Sequence, residues 1–423
     1  MRIKDIDKKG YKLHLIKTNK FKTVLVKIVF WNKIRKEELA LRNLLVNSLL
    51  FSSKNYDTPR KMAIKSDELF SMDLYNKTYR RGNYVLSEIN VSLIEDKYSS
   101  EGILKQGIEF LFDIVNNPHV EDNKFDSKSF KVNYGRLETA IRNESENPSY
   151  YAYKRFKEEI GSDKTFTNSL LGTIEELSKI TEENLYDYYK KFINENLIDI
   201  YVVGNINFKE IEKLIEGNFK PNEREIKYSL KEVSYEKEFT SLEEDSKYNQ
   251  SKLLLGASLS KLTKHEKLYE AILYNIILGN SPNSKLFQNV REKKSFAYSI
   301  ASSINRLDGL LYIYAGISSK NKEETKEEVL KQIEEMKQGK FTEANIKNAK
   351  QVILSVIKEV DEYPGAILDH YMNYLYFGNE KLLNQKQEIK KITKEDIVNV
   401  ANKINIDTIY LLKESSNEKI SNK

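Results

Sequence analysis

Residues 279–300 read GNSPNSKLFQNVREKKSFAYSI. Turn formers (Gly279, Asn280, Ser281, Pro282, Asn283) precede a short apolar helix pattern, then Arg291 and a basic, hydrated corner. Ser295–Ile300 alternates polar and apolar side chains, a period-two pattern that predicts a strand with one buried face. Arg291 ends the helical segment, and Tyr298 stands seven residues later on the strand.

Working outward, the chain repeats itself. Phe125 leads a helix pattern and Pro148 follows it; Phe341 and Pro364 do the same 216 positions later. Ile180-Thr181-Glu182-Glu183-Asn184-Leu185 returns as Ile392-Thr393-Lys394-Glu395-Asp396-Ile397, 212 positions later. A strand pattern then closes each half, at 199–203 and 408–412. Three ordered matches argue for a duplicated domain of about 200 residues. Each copy orders as strands, helices, two strands and helices, which predicts an α+β fold: two homologous halves, each an antiparallel sheet with helices on one face. The first half carries strand patterns at 11–16, 22–31, 72–80, 83–95 and 197–203. Its helix patterns cover 37–51, 59–70, 101–117, 123–145, 149–160 and 180–194. Residues 220–247 are polar without apolar period and read as an interdomain linker that admits some extended structure. The expected domains are therefore 1–219 and 248–423, and the repeat places the 279–300 stretch at the position matching the helix at 37–51.

Composition bounds the function. With 423 residues, 40% hydrophobic and 31% charged, the chain suits a soluble multidomain protein. The net charge of +6 is interspersed rather than clustered, so no nucleic-acid stripe is expected. No run approaches the roughly 18 apolar residues of a membrane span, and the N-terminus lacks the apolar core of a signal peptide. With no cysteine to form a disulfide or thiolate site, a cytoplasmic location is expected. The four histidines, His14, His119, His265 and His370, are too scattered for two to share a helix face toward a metal. Their expected roles are structural: His14 within a strand, His119 in a turn, His265 at an exposed helix start, His370 on an aromatic helix. No phosphate-cradling loop or nucleophile elbow is present.

The stretch LGNSPNSKLFQNVREKKSFAYS closely resembles the C-terminal-half motif of the insulinase/pitrilysin/mitochondrial-processing-peptidase family of zinc peptidases, the inverzincins. LGTIEELSKITEENLYDYYKKF (171–192) and YVVGNIN (201–207) resemble it too, and the likeness spans nearly the whole chain. It implies that the two halves form one side of a clamshell peptidase. The family's zinc motif, HxxEH, lies on the first long helix, with both histidines on one face and the glutamate activating water. Here that helix ends LLVNSLLF, which places Leu44, Asn47 and Ser48 at the His, Glu and His positions. The third ligand position falls near Thr139 or Ala140, beside Glu138. No metal is expected on this chain. The family's Arg/Tyr pair, which approaches the zinc site from the opposite half to hold substrate and support the oxyanion, is retained as Arg291 and Tyr298. Some bacterial members divide the labour between two chains. The resemblance therefore implies a non-zinc subunit of a heterodimeric peptidase. Its partner would be a homologous chain carrying HxxEH and zinc, and its substrate a peptide. The alternative is a peptidase-derived binding or assembly protein. An active metallopeptidase with other ligands is disfavoured by the scattered histidines.

Overall fold

The computed structural model describes residues 1–100, 102–161, 164–230, 232 and 235–415. The first sheet contains β1 (Arg2–Lys8), β2 (Tyr11–Lys17), β3 (Thr23–Lys33), β4 (Asp73–Arg81) and β5 (Tyr84–Ile94). A separate ladder joins β6 (Val120–Glu121) to β7 (Lys124–Phe125), and β8 (Leu197–Gly204) returns to the first sheet, whose order is β1-β2-β8-β3-β5-β4. The second sheet holds β9 (Thr240–Asp245), β10 (Ser251–Ser258), β11 (Ala297–Asn305), β12 (Leu310–Ile317) and β13 (Ile406–Lys413), in the order β11-β12-β10-β13-β9.

The run β2-β8-β3-β5-β4 thus matches β9-β13-β10-β12-β11 strand for strand. In each, the last strand of the half pairs in parallel with the first (β8 with β2, β13 with β9). It pairs antiparallel with the second (β8 with β3, β13 with β10). The duplication read from the sequence is therefore present in the hydrogen-bond topology, with β1 as an extra edge strand. Each sheet is antiparallel apart from that one parallel pair.

Two sequence expectations are adjusted. The extended structure admitted within 220–247 falls at Thr240–Asp245, which is β9, the counterpart of β2. Its sequence, TSLEED, reads as linker because edge strands carry charge against stray pairing. The 279–300 stretch follows the counterpart of the 37–51 helix rather than coinciding with it, as the helices show.

Those of the first half are α1 (Leu39–Phe51), α2 (Pro59–Glu68), α3 (Ile103–Asn116), α4 (Ser127–Glu146), α5 (Pro148–Ile160), α6 (Ile174–Leu177), α7 (Glu182–Glu195) and α8 (Phe208–Asn218). The second half has α9 (Lys264–Leu268), α10 (Glu270–Leu278), α11 (Lys322–Lys337), α12 (Glu343–Glu359), α13 (Pro364–Tyr376), α14 (Leu382–Lys391) and α15 (Lys394–Lys403). By strand order α10 is the counterpart of α1, and the segment bearing Arg291 is the counterpart of α2. Thr181 and Thr393 each build a capping box, on α7 and α15, so the sequence repeat marks equivalent helix starts. No helix among the described residues is long and apolar enough to cross a membrane.

The contacts divide the chain into two compact units. The first comprises Met1–Asn143, Asn168–Leu230 and Glu359–Phe377; the second comprises the described residues of Glu144–Thr167, Lys231–Lys358 and Gly378–Lys423. Each half of the chain has given one helix to the other's unit: α5 belongs with the second sheet, α13 with the first. In the first unit, Leu44, Leu45, Leu49, Phe112 and Phe192 pack in the core on one face of the sheet. The other face carries α13. Coverage on both sides explains why Val24–Trp31 of β3 is buried without alternation. In the second unit, Leu253, Leu255, Ile277 and Ile313 fill the core on one face. On the opposite face Ala152, Phe156 and Ile160 of α5 pack against Leu254, Tyr410 and Leu412. Gly256 permits this approach, since a Cβ there would stand 2.7 Å from the Phe156 ring.

Candidate substrate-contact site

The positions that would carry a metal motif are built into the first unit's scaffold. Leu44 is fully buried in the core. The Ser48 hydroxyl is also buried and donates to the Leu44 carbonyl at 2.8 Å. Asn47 is exposed and its side-chain oxygen accepts from Asn76 of β4 at 3.0 Å. Near the third position, Thr139 donates to the Gly135 carbonyl at 2.8 Å, and Glu138 is ion-paired with Arg142 at 2.7 Å. An aliphatic side chain, an amide and a self-satisfied hydroxyl do not form a zinc donor set, so these residues do not fit that metal. Among the described residues, no group of three His, Cys, Asp or Glu side chains is arranged to hold a metal ion.

The histidines have other partners. His119 Nδ1 lies 3.2 Å from Ser52 Oγ, and His265 is half-exposed with Nδ1 2.9 Å from Glu270. His370 is pushed down by burial on α13. His14 is the most heavily partnered of the four. Its Nδ1 lies 2.7 Å from Asp5 Oδ1 and its Nε2 3.3 Å from Asp199 Oδ1, and its ring stacks on Tyr201. Burial alone would lower its pKa, but the Asp199 and Asp5 carboxylates outweigh burial and raise it to about 9. Tyr371 and Tyr376 of α13 donate to Asp5 and Asp199 at 2.6 and 3.0 Å. This cluster secures α13 on the first sheet. Sequence spacing hid it because its members lie far apart in the chain.

Arg291 and Tyr298 lie in the second unit, on either side of a run of irregular backbone. Phe287–Glu292 winds as a π-helix with Val290 as its buried residue. Ser295 then adopts a left-handed conformation at φ 54°, while its amide donates to the Arg291 carbonyl at 3.0 Å. The strand resumes with a β-bulge. Ala297 pairs with Ile317 and Ser299 with Gly316, leaving Tyr298 as the extra residue. Sequence alternation over Ser295–Ile300 finds the strand from Ala297 onward but neither the irregular Ser295 and Phe296 nor the bulge, which leaves Tyr298 and Ser299 both exposed. Tyr298 is 65% exposed, an unusual state for a large aromatic on a sheet. Bulges re-aim side chains in this way.

The charges around Arg291 are mostly spoken for. Lys294 pairs with Glu328 at 2.6 Å and Lys285 with Glu335 at 2.7 Å. Arg291 has only a 3.7 Å contact with Glu292, and its guanidinium lies 4.7 Å from the Phe287 ring centroid. Among the described residues no side-chain hydrogen bond holds Arg291 or Tyr298. A planar fork of donors and a phenolic hydroxyl are thus left facing solvent, able to donate to peptide carbonyls or a developing oxyanion.

Beside Tyr298 runs a cleft of about 320 Å³, lined by α5 and by the outer face of β10, β11 and β12. Sequence reasoning missed it. Its available signal was Tyr312-Ile313-Tyr314-Ala315-Gly316, where alternation puts two tyrosines and a glycine on one face.

The chain is similar to several known proteins. The description "Peptidase M16 inactive domain" matches residues 179–353, a span that includes Arg291 and Tyr298. A probable inactive metalloprotease of Bacillus subtilis (strain 168) is 29% identical over 413 residues, covering 96% of each chain. A conserved protein from Enterococcus faecalis V583 shares the fold with a TM-score of 0.92 at 24% identity, over 99% of this chain and 100% of that one. A peptidase M16 inactive domain from Pseudomonas fluorescens shares it at a TM-score of 0.79 and 15% identity, over 99% and 100%. In its duplicated α+β fold and over residues 179–353 the chain is similar to inactive members of the M16 peptidase family, and its first helix lacks HxxEH.

Proposed function

We propose that this chain is the non-zinc subunit of a two-chain peptidase, and that Arg291 and Tyr298 engage the peptide at a site whose metal belongs to a homologous partner carrying HxxEH. The carrying observation is the backbone between them. A π-helix, a left-handed Ser295 and a bulge occupy consecutive stretches and leave both side chains exposed without hydrogen-bond partners. Left-handed backbone at a residue other than glycine costs of order 1–2 kcal/mol, and such strain gathers at functional sites. Arg291 is the group suited to hold a substrate carbonyl, and the Tyr298 hydroxyl the one suited to donate to an oxyanion. Peptide cleavage by a mixture of this chain with its HxxEH-bearing homologue tests the reading. Arg291→Ala or Tyr298→Phe should each lower kcat/KM of the mixture by roughly 10²–10³-fold, the loss typical of one oxyanion donor. Both side chains are exposed, so the folded state should be unaffected. Unchanged activity in both variants would sink the proposal.

The second reading is a binding or assembly protein without a catalytic part. The inactive metal helix and the name of the Bacillus subtilis relative favour it. It forecasts stable association with a partner and no peptide cleavage in any mixture.

A further inference from the structure

The cleft beside Tyr298 owes its shape to one row of paired residues. Lys252 on β10 pairs with Gly316 on β12, and Gly316 pairs with Ser299 on β11. The lysine and the serine stand two strand spacings apart, roughly 10 Å between Cα atoms. With no side chain at the middle position, a trough opens between the lysine and the bulge. A Cβ on Gly316 would stand 2.9 Å from Ser299 Oγ. Along the same face lie Tyr314, which is 43% exposed, and Tyr312, whose ring centroid is 4.9 Å from that of Tyr153 on α5. The result is an aromatic trough with a cation at one end.

Its charge is one-sided. The lining holds Lys252 and neither Asp nor Glu. Lys252 Nζ donates to Gln250 Oε1 at 2.5 Å, and burial, with no compensating carboxylate, pushes its pKa down. Asn147 and Ser149 bring the N-terminus of α5 to the same cleft. The Asn147 side chain already accepts from the Ser149 and Tyr150 amides. The helix therefore contributes the positive end of its dipole rather than free donors. A half-buried ammonium without an anion favours an incoming carboxylate, and the tyrosine rings favour a flat apolar group beside it.

We propose that this cleft binds a peptide carboxylate adjoining an aromatic side chain, and so selects which peptides reach Arg291 and Tyr298. The inference rests on reading the second unit as a peptide-contacting surface. The carboxylate could be a chain terminus or an acidic side chain, and one set of probes separates these sources.

The test is fluorescence anisotropy of the full chain with labelled decapeptides in two matched pairs. One pair ends in Phe as the free acid or the amide; the other is amidated and carries an internal Phe-Glu or Phe-Gln. The charged member of one pair should bind at least tenfold more tightly than its neutral match. The first pair responds if the ligand is a chain terminus, the second if it is an acidic residue. Lys252→Gln should reduce that preference below twofold and Lys252→Arg should keep it. Tyr314→Ala should weaken binding about tenfold, equivalent to about 1.4 kcal/mol. No charge preference in either pair, no binding of any probe up to about 1 mM, or a preference that survives Lys252→Gln overturns the proposal. Activity loss in the Arg291 and Tyr298 variants without a carboxylate preference would sink the cleft alone. A carboxylate preference without that activity loss would sink only the two-chain reading.

Discussion

At the residue scale, His14 and Leu44 are both held by their surroundings in the first unit, one by charge and one by apolar packing. His14 is an imidazolium between Asp5 and Asp199, with Tyr371 and Tyr376 completing the shell. Its folded pKa of about 9 lies above the unfolded value of about 6.5. Its stabilisation is therefore complete below about pH 6.5 and is lost as pH rises through about 9. Thermal midpoints measured from pH 6 to 10 should fall across that window in the parent chain, and His14→Gln should flatten the fall; an unchanged slope would refute the assignment. Leu44 poses the converse case. Rebuilding the motif as L44H/N47E/S48H places an imidazole in the apolar core without a partner. The triple variant should lose about 2–5 kcal/mol and take up no stoichiometric zinc, readable by denaturant titration and elemental analysis. Zinc bound at one equivalent would show that the scaffold still accepts a metal.

At the element scale, α5 and α13 occupy equivalent places by different means. α13 is held through charge: Asp369 pairs with Lys27 at 2.7 Å, and its tyrosines reach the His14 cluster. α5 is held chiefly by apolar side chains, Phe156 against Leu254 and Tyr410, with one charged tie from Arg155 to Glu244 of β9 at 3.0 Å. Phe156→Ala should cost about 3–5 kcal/mol in denaturant unfolding, with no pH dependence of its own; a loss below 1 kcal/mol would contradict this packing. The sequence made most elements legible, because amphipathic helices, Pro148 and Pro364 starts and the threonine caps are local signals. It left the bounds of β9 unread within 220–247, since a charged edge strand lacks the apolar alternation that burial on one face would impose. It hid the bulge at Tyr298, because an extra residue leaves the apolar pattern of Ala297 and Ile300 readable as an ordinary strand. The Arg291 and Tyr298 pair was visible only through family resemblance. The cleft was not visible, because its floor depends on which strands become neighbours.

At the scale of the whole molecule, the chain passes between units after Asn143, Thr167, Leu230, Lys358 and Phe377. A cut in the 220–239 segment therefore does not yield two self-sufficient domains. Separately expressed fragments 1–230 and 231–423 should each expose a sheet face and aggregate or bind a hydrophobic dye. Co-expressed, they should co-purify with native circular dichroism. Two independently stable monomeric fragments would show that the exchanged helices are dispensable. The exchange also sets a timetable on the ribosome. α5 is complete at Ile160, but the sheet it covers is not finished until β13 ends at Lys413. At roughly 5–20 residues per second, that interval lasts from about ten seconds to about a minute. Phe156 and Ile160 have part of their native surface once β10 and β12 are made, and all of it only when β13 adds Tyr410 and Leu412. The nascent chain therefore carries an apolar helix face whose cover is completed only by its last strand.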